Sequence, residues 1–148
     1  MRDIPMNRLL VLVSFMFTTS CITTSYYKND EIDFSLGEIK QTFFSMLGNP
    51  RLVSENDREL ESPYFSRRKE SPYVEGKSAE RLFVKLYILG DRRPYTLEIH
   101  VFVEKRSGKE YELVDESKEH SERLGFELVN RLTQMKQKRN VIDDFRVF

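Results

Sequence analysis

The chain has one cysteine, six glycines, two histidines and no excess of either charge in 148 residues. Each shortage excludes something. A single cysteine, Cys21, closes no intramolecular disulfide, so any fold must hold by packing alone. Six glycines leave little material for phosphate-cradling loops, and neither a G-x-G-x-x-G nor a P-loop pattern occurs. Lys plus Arg and Asp plus Glu number 24 each, without the basic excess that a general nucleic-acid binder shows. No nucleic-acid partner is therefore expected. The composition also calls for no cofactor.

Long apolar runs are missing too. The longest apolar stretch, LLVLVSFMF at residues 9–17, is interrupted by Ser14. As a helix it would rise only about 14 Å, half of a hydrocarbon core. Its flanks give it another meaning. Arg2 and Arg8 precede it, the small residues Thr18, Thr19 and Ser20 follow, and Cys21 closes the stretch. A positive start, a short apolar middle and a small-residue end describe a secretory signal peptide.

With the cysteine at its end, this stretch resembles the lipobox of bacterial lipoproteins. Ser20 fits the small residue expected before the cysteine, while Thr18 stands where the family prefers Leu or another aliphatic. The resemblance implies a signal peptide over 1–20, cleavage before Cys21, and acylation of its thiol and new amino group. Two or three acyl chains anchor durably, because each buried CH₂ contributes about 0.8 kcal/mol. Ile22 rather than Asp after the cysteine implies, by the enterobacterial sorting rule, an outer-membrane location facing the periplasm. Residues 21–33 are expected as a lipidated start and polar tether, and 34–148 as a single domain.

Within that domain, Ser35 and Glu38 have capping-box spacing, with Phe34 and Ile39 placed for a hydrophobic staple. Leu36, Ile39, Phe43, Met46 and Leu47 recur at helical spacing, and Gly48 and Asn49-Pro50 stop the run. Two short extended pieces, 51–55 and 58–65, flank the turn pair Asn56-Asp57, and Pro63 should put the second at an edge or end its pairing. The segment ESPYFSRRKESPYVEGKS repeats ESPY around Arg67-Arg68-Lys69, a recognition loop, an anionic-lipid contact or an ordinary charged surface loop.

The clearest strands are 80–89 and 95–105. Leu82, Val84, Leu86 and Ile88, then Leu97, Ile99, Val101 and Val103, occupy one face by strict alternation. The opposite face carries Phe83, Lys85, Tyr87, Glu98, His100, Phe102 and Glu104. A hairpin at residues 106–109 leads to 110–114, where Tyr111 and Leu113 keep the alternation. A helix is expected over 116–138, with Leu124, Leu128, Leu132 and Met135 as its stripe, Gly125 allowing close approach to the sheet, and a basic end at 134–139 suiting the helix dipole. The expected fold is α+β: a two-layer sandwich of a four- to five-stranded, mostly antiparallel sheet with both helices on one face. This order looks like that of small envelope-assembly lipoproteins, such as the C component of the β-barrel assembly machinery and the lipoprotein partner in lipopolysaccharide transport. It resembles them in topology alone and brings no functional residues with it.

For function, the leading expectation is a non-enzymatic, membrane-anchored module that binds another envelope protein. Its candidate contacts are Phe83, Tyr87, Phe102, Arg67, Arg68 and Lys69. A lipid or glycolipid carrier with a cavity between helices and sheet is the alternative. A hydrolase or metal site built on His100 with Glu98 and Glu104 ranks lower, and so does any role for His120, one helical turn after Glu116. The ending Phe145, Val147, Phe148 faintly resembles a barrel terminus, but is better read as a closing strand or packed tail.

Overall fold

The computed structural model describes residues 25–67 and 78–144, with side chains as far as residue 138. Along the chain these form strand β1 (Tyr27–Ile32), helix α1 (Leu36–Leu47), strands β2 (Leu52–Val53), β3 (Glu59–Glu61), β4 (Glu80–Leu89), β5 (Tyr95–Ser107) and β6 (Glu110–Glu116), and helix α2 (Lys118–Asp144). The fold is α+β, with one six-stranded antiparallel sheet in the order β1-β5-β4-β3-β2 and β6 also on β5. β4 takes one edge of β5 along its length. β1 and β6 lie end to end on the other, opposite Tyr95–Ile99 and Phe102–Ser107 respectively.

Both helices bury their stripes in one core. Ile39 and Phe43 of α1 and Leu124, Leu128 and Leu132 of α2 join the inward residues of β4 and β5 in a single cluster. The capping box forms as the spacing requires: Ser35 Oγ accepts from the Glu38 N–H, and the Glu38 carboxylate accepts from the Ser35 N–H at 2.7 Å. Gly48, at φ 87°, ends α1 in a conformation that a side chain would strain. Gly125 sits against the Tyr27 ring, and a Cβ there would lie 2.1 Å from Tyr27 Cδ1. The glycine thus lets α2 close onto β1.

Four expectations need correction. First, Tyr27–Ile32, expected as part of a polar tether, forms an edge strand of the sheet. Tyr27 and Ile32 are both buried although they are five apart, because the register shifts between Asn29 and Ile32. Such a bulge breaks the period of two that marks a strand in sequence. Second, the sheet has six strands rather than four or five; β3 is internal and Pro63 ends its pairing, the second of the two outcomes expected of it. Third, β6 runs on to Glu116 and supplies no core residue. Leu113 opposes Glu104, on the face away from the helices, and is 60% exposed. Fourth, α2 starts after Ser117 and continues to Asp144, so the basic stretch 134–139 lies inside the helix and its last turn has no basic residue. Phe145, Val147 and Phe148 lie outside the described residues.

The centre of the sheet is closed by two serines. Val84 and Val101 are register partners on β4 and β5. Beyond Val84, where Pro63 interrupts β3, fully buried Ser62 donates its N–H to the Val84 carbonyl, and its Oγ accepts from the Val84 N–H at 2.9 Å. Beyond Val101, in the gap between β1 and β6, the Ser117 N–H donates to the Val101 carbonyl. The Oγ of fully buried Ser121 accepts from the Val101 N–H at 2.9 Å. Each serine supplies a partner that a broken ladder would otherwise withhold.

Candidate functional site: the helix-free sheet face

The antiparallel register aligns the outward residues into rows across the sheet. Glu59, Tyr87, Glu98 and Lys28 form one row, and Glu61, Lys85 and His100 the next. Phe83, Phe102 and Glu116 form a third, followed by Arg81, Glu104 and Leu113. Directly opposed side chains on one face touch, and here they pair by chemistry. Glu61 receives Lys85 at 2.8 Å and Arg51 at 2.9 Å; Glu104 receives Arg81 at 2.6 Å.

Aromatic rings fill the spaces between these charges. Phe83 and Phe102 stack with centroids 5.3 Å apart, and Tyr64 meets Phe83 edge-on at 5.8 Å. The Arg51 guanidinium lies 3.9 Å from the Tyr64 ring centre, and the Arg81 guanidinium 3.7 Å from it and 4.0 Å from that of Tyr111. Planar cations over aromatic faces contribute more where water is partly excluded, as it is in this array. The Glu61 hydrogen bond to Lys85 holds its ammonium above the usual lysine range, against the opposing effect of burial.

His100 is the hub of the other half. Its Nδ1 lies 2.6 Å from Glu116 Oε1 and its Nε2 4.0 Å from Glu98 Oε2. Tyr26 stacks on the imidazole at 4.4 Å, Tyr87 meets it edge-on at 5.4 Å, and Phe102 lies parallel at 5.9 Å. Helical spacing puts Glu116 near His120; it pairs instead with His100, because it ends β6 rather than starting α2. His120 is buried, its Nδ1 2.9 Å from Ser117 Oγ at the start of α2. Glu104, which shares a strand face with His100, is turned to Arg81. Among the described residues no group of three or more His, Cys, Asp or Glu is arranged to hold a metal ion.

Of the residues singled out from sequence, Tyr87 and Phe102 lie half-buried on this face. Phe83 is on it but only 7% exposed, covered by its own neighbours Arg51 and Tyr64, so the accessibility expected of it does not hold. Arg67 bonds Glu80 at 2.8 Å at the start of β4, away from the His100 cluster. Arg68, Lys69 and Cys21 lie outside the described residues. The first ESPY copy has a structural part: Glu61 binds two cations, Ser62 closes the sheet, Pro63 ends β3 and Tyr64 covers Phe83. The second copy lies outside the described residues.

Arg51, Tyr64, Arg81, Glu116 and Tyr26 belong to the site without having been singled out by the sequence pattern. Arg81 shares its parity with Phe83 on a clear strand and was therefore legible. Tyr26 and Arg51 stand just before strands too short or too irregular to show a parity. A depression of about 290 Å³ beside Tyr87, bordered by Arg58, Glu59 and Asp91, is open to solvent. Among the described residues, no helix is long and apolar enough to cross a membrane. Comparison with protein-family models, curated proteins and solved structures finds no match for this chain.

Proposed function

We propose that the chain is a cell-envelope lipoprotein, anchored by acyl groups on Cys21, that presents its helix-free sheet face to another envelope protein. The observation that carries this reading is that face. Its rings and ion pairs are held in place by one another, yet Tyr87, Phe102, Lys85 and His100 remain partly open, with Leu52 and Leu113 exposed at two of its margins. A surface already ordered loses little entropy on binding, and aromatic groups with fixed charges of both signs suit a polypeptide partner. Anchoring raises the effective concentration of the two partners, so a modest interface suffices. An outer-membrane location facing the periplasm accords with Ile22 after Cys21.

Crosslinking and pulldown from native membranes test this. The wild-type chain should capture a defined neighbour. Cys21→Ala should lose it with membrane retention, and Tyr87→Ala with Phe102→Ala should lose it while staying anchored. Capture unchanged in the double variant would remove the face assignment. The lipid-carrier alternative has less support, because fully buried Ile39, Leu97, Leu128 and Leu132 fill the space between helices and sheet. One observation favours a second reading: a His–Glu contact of 2.6 Å is the geometry that orients a general base. Full function after His100→Ala would dismiss it.

A further inference from the structure

The start of β1 at Tyr27 changes the geometry of anchoring. Six peptide units separate Cys21 from Tyr27, and they reach at most about 20 Å when fully extended. The lateral edge from which the chain leaves the sheet is therefore held at the bilayer. That edge consists of β1 and β6 end to end, and Tyr26 leaves it at the junction, stacked on His100.

Exposed apolar side chains flank this exit on both sides. On one side is Phe126, 60% exposed, its ring 5.2 Å from Tyr27. On the other is the β6 bulge, with Leu113 60% and Val114 49% exposed. Along β5 the two groups are separated by roughly 15 Å. Exposed Leu52 and Val53 belong to β2, at the opposite edge of the sheet.

Resting on the anchored reading above, we propose that the β1/β6 edge is a membrane-contact surface, with Phe126 and Val114 seated at the headgroup–acyl boundary of a lipid bilayer. This orientation turns the edge toward lipid and holds the helix-free face across the membrane surface, open to a partner. The acidic residues Glu110, Glu112 and Asp115 on β6 would be repelled by an anionic surface, so the lipid this edge fits is zwitterionic.

The chain contains no tryptophan, so an introduced one is a unique reporter. Phe126→Trp, Val114→Trp and Leu52→Trp are made in the full acylated protein. Each is reconstituted into phosphatidylethanolamine–phosphatidylcholine vesicles whose phosphatidylcholine is brominated on its acyl chains. After flotation, fluorescence at positions 126 and 114 should be quenched about twofold or more relative to unbrominated vesicles, as expected for groups at the acyl boundary, while position 52 stays unquenched. If the protein floats but positions 126 and 114 are quenched no more than position 52, the membrane-contact proposal is wrong and the anchor stands. A protein that does not float defeats the anchor and the proposal together. Quenching at only one of the two edge positions would also overturn the seating proposed here.

Discussion

The two faces of the sheet are built from the same strands and differ in what holds them. Toward the helices, Leu82, Val84, Leu86, Leu97, Val101 and Val103 have no measurable exposure, and any well-packed apolar set of that volume would serve. On the other side, residues of alternate parity on the same two strands form a lattice of ion pairs and rings that remains partly wet. An ordinary solvated face needs no such arrangement. The stability of the domain resides in the first face; the recognition proposed above is assigned to the second.

The sharpest way to break this comparison is to truncate each face in turn. Leu128→Ala in the core should cost about 3 kcal/mol by urea unfolding, from lost transfer energy plus the cavity left behind. Ser62→Ala and Ser121→Ala come next, each at about 1–2 kcal/mol, because each leaves a buried strand N–H without its acceptor. Arg81→Ala on the outer face should cost about 1 kcal/mol, since it removes the ion pair with Glu104 and the guanidinium's contacts with the Tyr64 and Tyr111 rings in a partly wet setting. If Arg81→Ala proved as damaging as Leu128→Ala, the unequal share of stability between the two faces would fail.

The smallest effect is one of pH. Glu61 raises the Lys85 pKa above 10.5, so their contact favours the folded state fully below the unfolded lysine value. That share disappears as pH rises through the raised folded value. For a pair open to solvent it amounts to under about 1 kcal/mol. Unfolding curves from pH 9 to 12 should show this loss in the wild type and not in Lys85→Met.

Most of the covered face is legible in the amino-acid sequence, because β4, β5 and both helices carry unbroken periods of two or near 3.6. β1 is hidden by its bulge, which places the buried Tyr27 and Ile32 at a spacing belonging to neither period. The outer face is legible in part. Parity on β4 and β5 assigns Tyr87, Lys85, His100 and Phe102 to it, but cannot show that Tyr64 and Arg51 cover Phe83. The His100–Glu116 pair depends on how far β6 extends beyond its own bulge, a property of register rather than of composition. Ser62 and Ser121 are illegible for a similar reason: an isolated serine acquires its part only when two broken ladders meet the same row.

The proposed anchor on Cys21 underlies the location, the partner and the orientation proposed above. Intact-mass spectrometry of the protein extracted from membranes tests it directly. The account predicts a mature chain beginning at Cys21 and carrying the added mass of two or three acyl chains. A free thiol at Cys21, or a mature start beyond it, would contradict the account.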